Sequence, residues 1–93
     1  MAIKISDEIL NKLRDKHQVT AREVDECFLN MTGNALTDDR DKHKTNPPTM
    51  WFIAETNKKR LLKICYITID GNVHIKSAFE PNEQELRIYI KYS

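Results

Sequence analysis

The sequence predicts an α+β fold with N-terminal helices, an antiparallel meander of three or four strands and a C-terminal helix. Two observations carry this prediction. Apolar residues recur at helical spacing near both ends of the chain, whereas between residues 50 and 79 they form extended runs separated by turn residues. The length of 93 residues leaves room for one hydrophobic core, so residues 1–93 are expected to form a single domain.

Both N-terminal helices have sequence signals for their ends. Ser6 is the expected cap of the first helix, whose apolar face continues to His17. Thr20 and Glu23 form a capping box at the start of the second helix, and Gly33 is its expected stop. The buried face of the second helix consists of Val24, Cys27, Phe28 and Met31.

Strands are predicted after a polar loop over residues 37–49. The three apolar runs that predict them are residues 50–55, 61–69 and 73–79. Residues 3–5 fit either a short strand or a lead-in to the first helix, and residues 35–36 fit the start of another short strand. The last helix is expected to have Pro81 as its first residue. Its buried stripe consists of Leu86, Tyr89 and Ile90.

The predicted turn at Asp70–Gly71 fixes the pairing of the two strands beside it, placing Cys65 opposite Lys76 and Lys63 opposite Ala78. The sheet face expected to receive the helices carries Leu62, Ile64, Tyr66, Val73, Ile75 and Phe79. The opposite face, expected to be open, carries Lys63, Cys65, His74 and Lys76.

The preceding strand can be placed in two ways. A turn at Asn57–Lys58 puts Trp51 and Ile53 on the helix-facing side and Phe52 on the other. A slip of one residue reverses that assignment, because side chains alternate between the two faces of a sheet.

Composition excludes a strongly basic protein. Lys and Arg number 15 and Asp and Glu number 14, a formal charge of +1, so any attraction to nucleic acid must come from a local patch. No apolar run reaches the roughly 20 residues of a membrane span, and no signal-peptide pattern opens the sequence, so we expect a cytoplasmic protein. Cys27 and Cys65 lie within apolar patterns and are expected to be buried, reduced thiols.

The three histidines lack metal-ligand spacing, so no metal site is expected. No other cofactor is expected either. Basic residues form two groups. The first lies in the long loop and contains Arg40, Lys42, His43 and Lys44. The second lies around the expected hairpin and on the open face, and contains Lys58, Lys59, Arg60, Lys63, His74 and Lys76. Either the groups are solvated surface, or they hold an RNA backbone while nearby imidazoles carry protons to and from the ribose and the leaving oxygen.

Several short motifs occur in an order that resembles the BrnT toxin family, which belongs to the RelE-like ribonuclease toxins. They are Lys16-His17-Gln18-Val19, Asp39-Arg40, Trp51-Phe52-Ile53-Ala54, Lys59-Arg60-Leu61-Leu62 and Val73-His74-Ile75-Lys76-Ser77-Ala78. The resemblance implies a RelE-like fold, RNA cleavage without a metal and neutralisation by a cognate antitoxin protein. It points to His17, Arg40, Lys59, Arg60 and Tyr66 as site residues. The sequence departs from the family at Phe79, where these toxins usually have arginine.

The first hypothesis is therefore a metal-free endoribonuclease of toxin–antitoxin type. Its catalytic candidates are His17, Arg40, Lys59, Arg60 and His74, and its RNA-binding candidates are Lys42, His43, Lys58, Lys63 and Lys76. The alternative is a non-catalytic module of the same fold that binds a protein through the open face or the last helix. The segment from Pro48 to Glu55 and that from Ser77 to Glu83 also resemble small bacterial proteins labelled ADP-ribosyl-(dinitrogen reductase) hydrolase, but the sequence has no carboxylate cluster for the two-metal site of such hydrolases.

Overall fold

A computed structural model describes residues 2–38 and 46–93 and has the predicted α+β architecture. The strands within the described residues are β1 (Ile3–Lys4), β2 (Leu36–Thr37), β3 (Met50–Glu55), β4 (Leu61–Ile69) and β5 (Asn72–Phe79). The helices are α1 (Asp7–His17), α2 (Ala21–Leu29) and α3 (Glu83–Tyr92). The sheet order is β1-β5-β4-β3-β2, in which β2 to β5 form the expected meander and β1 adds a fifth strand. The meander is antiparallel as predicted, but β1 joins β5 in parallel and makes the sheet mixed.

The predicted N-terminal caps are confirmed. The Ser6 hydroxyl accepts a hydrogen bond from the Ile9 amide, and Thr20 forms the capping box with Glu23. The expected stop at Gly33 is wrong, because α2 ends at Leu29. The next residue, Asn30, ties this end to the sheet by donating from its side chain to the carbonyls of Glu55 (2.9 Å) and the Asn57 side chain (3.0 Å).

The third helix begins two residues later than expected, at Glu83. Asn82 is its N-cap, and its side chain accepts from the Glu85 amide while the Glu85 carboxylate accepts from the Asn82 amide. Pro81 therefore precedes the helix. The asparagine side chain supplies the cap that the proline-based prediction overlooked.

The turn at Asp70–Gly71 is confirmed, with positive φ at both residues and Ile69 opposite Asn72. A β-bulge then shifts the register, so that Cys65 pairs with Ser77 and Lys63 with Phe79. The predicted partners, Lys76 and Ala78, were wrong because the bulge inserts one extra residue into β5. Phe79 consequently lies on the same sheet face as Lys63, and Ala78 lies on the opposite face beside Ile64.

The β3–β4 hairpin closes with three residues rather than two. Thr56 and Arg60 bond across the loop, and Lys59 has a φ of 65°. This shifts the pairing by one residue, placing Phe52 opposite Ile64 and Trp51 opposite Cys65. The reversed assignment is therefore the observed one.

Helices cover both faces of the sheet. Helices α1 and α2 pack on one face, where Phe28 contacts the rings of Phe52 (4.8 Å between centroids) and Tyr66 (5.6 Å). Helix α3 packs on the other, where the Tyr89 ring lies 5.8 Å from that of Trp51. The face expected to be open is thus partly covered, and Lys63 and Cys65 are buried.

Candidate functional site

Arg60 joins four parts of the chain at the loop end of the β3–β4 hairpin. Its Nη1 donates to the Gln18 carbonyl (2.8 Å) and its Nη2 to the His17 carbonyl (2.9 Å), which satisfies carbonyls at the C-terminal end of α1. Nη1 also donates to the Glu23 carboxylate (3.1 Å), and Nε donates to that of Glu80 (3.0 Å). The guanidinium therefore anchors α1 and α2 to the hairpin.

The electrostatics around Arg60 favour the ionised forms of both Arg60 and Glu23. Burial alone would raise the pKa of Glu23, but bonds from the Thr20 backbone and Arg60, with the charge of Arg60, lower it below its usual value. Burial would lower the pKa of Arg60, but the hydrogen bonds to Glu80 and Glu23 outweigh burial and raise the pKa above its usual value. Arg60 is thus a positioning residue, because four of its N–H bonds already serve the fold.

Three of the five catalytic candidates lie together at this end of the molecule. His17 is the last residue of α1, is half-buried, and has its ring 5.5 Å from that of Phe79. Lys59 precedes Arg60 in the hairpin and is exposed, as is its neighbour Lys58. We call His17, Lys58, Lys59 and Arg60 the hairpin end. Lys16, which sequence reasoning gave no role of its own, is an exposed lysine that precedes His17 in α1.

His74 and Lys76 lie elsewhere. His74 is opposite Ile67, and Arg60 immediately precedes β4, so a rise of about 3.3 Å per residue separates His74 and Arg60 by roughly 20 Å. Lys76 is exposed at the bulge. Neither residue can act on the same phosphate as the hairpin end. The candidates Arg40, Lys42 and His43 lie outside the described residues.

Lys63, an expected RNA-binding residue, is buried instead. Its side chain is only 7% exposed, and its ammonium lies 2.7 Å from a Glu85 carboxylate oxygen. The same ammonium lies 4.6 Å from the centroid of the Trp51 ring and 5.6 Å from that of Phe79. Phe79 thus packs against Lys63. It stands where BrnT toxins usually have arginine. No local pattern predicts this arrangement, since Glu85 is on another element.

A groove of about 750 Å³ runs between α3 and the β2–β3 edge. Its lining is partly apolar and includes Leu36, Trp51, Lys63, Glu85, Ile88 and Tyr92. Ile88 and Tyr92 are 39% and 64% exposed, so this side of α3 presents apolar surface to solvent. The expected buried stripe of α3 is therefore only partly correct: Tyr89 is buried, whereas Ile90 is 71% exposed.

Both cysteines are free and buried, as predicted. Burial, with the nearby carboxylates of Glu23 and Glu26, raises the pKa of the Cys27 thiol to about 12. Burial also raises the pKa of Cys65. Since the thiolate is the nucleophilic form, neither thiol is activated for covalent chemistry.

Residues 2–38 and 46–93 contain no group of three His, Cys, Asp or Glu side chains arranged to hold a metal ion. No helix in that part of the chain is long and apolar enough to cross a membrane. Among known proteins, no family model matches the chain and no curated protein gives a significant match. The function is therefore inferred from the residues and their arrangement.

Proposed function

We propose that the chain is a metal-independent endoribonuclease of toxin–antitoxin type whose RNA-contacting surface is the hairpin end. The observation that supports this most is the contact between the end of α1, which carries His17, and Arg60, which follows two exposed lysines. Arg60 bonds to the His17 carbonyl and so holds the end of α1 against the hairpin that carries Lys58 and Lys59. The likeness to BrnT toxins supplies the reaction class.

The proposed roles follow from the chemistry of each side chain. Lys58 and Lys59 contact phosphate and stabilise the charge that develops on it. Neutral His17 accepts the proton of the ribose 2′-hydroxyl, and the 2′ oxygen attacks phosphorus. The bond from phosphorus to the 5′ oxygen breaks, and that oxygen takes a proton from water. The products are a 2′,3′-cyclic phosphate and a 5′-hydroxyl, and Arg60 acts by holding His17 in position.

The test is incubation of the purified protein with end-labelled RNA at low salt in EDTA, repeated in a translating extract. We expect cleavage in at least one setting, with cyclic phosphate ends. His17→Asn and the pair Lys58→Ala with Lys59→Gly should each lower the rate tenfold or more. Lys76→Ala is the matched control, because it removes an exposed lysine at the β5 bulge, away from the hairpin end. Intact RNA in both settings, from a protein with a folded circular dichroism spectrum, would rule out the nuclease.

A second candidate is a non-catalytic module that binds a protein partner such as an antitoxin. It is favoured by the internal engagement of the Arg60 and Lys63 charges and by the partly apolar groove beside α3. This candidate predicts that an Ile88→Asp variant loses a stoichiometric partner when each protein is used as bait in an extract of the native host. Ile69→Asp is the control, because Ile69 is equally exposed (40%) but lies at the β4–β5 turn. Retention of the same proteins by both variants would exclude the groove.

A further inference from the structure

Helix α3 forms a ridge with a groove along each side. The first groove is the one described above, and the second, of about 520 Å³, lies between α3 and the β3–β4 hairpin. Within the helix, Tyr89 is the one buried residue, and Leu86 is partly buried against the core. Ile88, Ile90 and Tyr92 keep 39%, 71% and 64% of their surface exposed. The helix therefore gains less from apolar burial than its composition would allow.

Two of the polar contacts that hold α3 on the sheet carry a desolvation cost. The Tyr89 hydroxyl is buried, and the Ser93 hydroxyl and the Ile53 backbone lie near it without the geometry of a full hydrogen bond. Such a group loses its bonds to water and recovers them only in part. The Lys63–Glu85 pair (2.7 Å) is also mostly removed from water, and the cost of desolvating a buried pair offsets much of its attraction.

We propose that α3 opens as a unit while the rest of the protein stays folded, with the Lys63–Glu85 pair as its latch. Elements with few buried apolar contacts open at lower free energy than the core. Opening would uncover Trp51, Ile53 and Lys63, which are each at least nine-tenths buried when α3 is in place. An indole beside an ammonium is a combination that binds single-stranded nucleic acid. That consequence rests on the proposed function, whereas the opening does not.

Hydrogen exchange tests the opening without any RNA. In the wild-type protein we expect the amides of α3 to exchange at least 100-fold faster than those of residues 62–65 in β4. Equal rates would overturn the proposal, because they would mean that α3 is released only by global unfolding. This comparison needs no variant, and its result is separate from that of the RNA cleavage assay.

A pair of variants tests the latch. Glu85→Gln keeps an acceptor for the capping box but removes the charge facing Lys63, so α3 exchange should accelerate at least tenfold while β4 exchange changes far less. Glu83→Gln is the matched control, because it breaks the exposed pair with Arg87 in the same helix. We expect no change from it. Equal acceleration by both variants, or equal acceleration of α3 and β4 in Glu85→Gln, would refute the role of the Lys63–Glu85 pair.

Discussion

Replacing Arg60 by alanine should destabilise the fold substantially. The guanidinium donates to two backbone carbonyls at the end of α1 and to Glu23, with the Arg60 side chain 26% exposed and that of Glu23 23% exposed. Hydrogen bonds to charged groups contribute about 1.5–3 kcal/mol each, but partial exposure and shared geometry reduce their sum. The bond to Glu80 adds little, because that carboxylate is 65% exposed. We therefore expect a loss of about 2–4 kcal/mol.

Urea denaturation measures this loss directly, and for a chain of this size the melting temperature should fall by roughly 10–20 °C. Glu80→Gln is the matched control, since it changes the exposed partner of the same guanidinium and should cost less than about 0.5 kcal/mol. RNA cleavage by Arg60→Ala, measured well below its melting temperature, reports positioning separately from unfolding. A loss of less than about 1 kcal/mol in Arg60→Ala, or an equal loss in Glu80→Gln, would refute the anchoring role.

Three further predictions concern stability. Lys59→Gly should stabilise the protein by up to about 1 kcal/mol in urea denaturation, because Lys59 has a φ of 65°. Lys58→Gly is the control and should destabilise the protein, because Lys58 has no positive φ. The opposite order of stabilities would contradict this account. A Cβ on Gly33 would lie 2.8 Å from the Tyr89 hydroxyl, so Gly33→Ala should lose about 1–3 kcal/mol. Tyr89→Phe should cost little alone and restore part of that loss, and strict additivity in the double variant would disprove the clash. Because the pKa of Glu23 is lowered by folding, its ionised form stabilises the protein above the unfolded pKa of about 4.3, and this contribution disappears as pH falls through the folded value. The stability difference between wild type and Glu23→Gln should therefore shrink in acid, and a difference that is constant from pH 7 to pH 3 would exclude the linkage.

Local signals predicted much of the fold. The caps at Ser6 and Thr20 and the turn at Asp70–Gly71 depend on residues within a few positions of one another, and all three are confirmed. The bulge that inserts an extra residue into β5 has no such signal, because it depends on how β5 fits its neighbours. The three-residue loop ending in Lys59 also escaped prediction, since lysine rarely adopts positive φ.

The site was less accessible to sequence reasoning because its contacts are distant in the chain. Arg60 bonds to His17 and Glu23, which lie 43 and 37 residues away, and Lys63 bonds to Glu85, which lies 22 residues away. A cation with an internal carboxylate partner has the same sequence appearance as one that is available for phosphate. Only the three-dimensional arrangement separates the exposed lysines of the hairpin from these two engaged cations.

The parallel pairing of β1 with β5 constrains the order in which a newly made chain can assemble. Val73 donates its amide to the Ala2 carbonyl (2.8 Å), so β1 binds a strand that is made about three-quarters of the sequence later. Helices α1 and α2 likewise pack on strands that follow residue 49. The apolar faces of these two helices cannot pack on the sheet until the meander has left the ribosome, because non-local contacts form only after the intervening chain exists. Truncated chains ending before β5 should therefore expose these faces and aggregate.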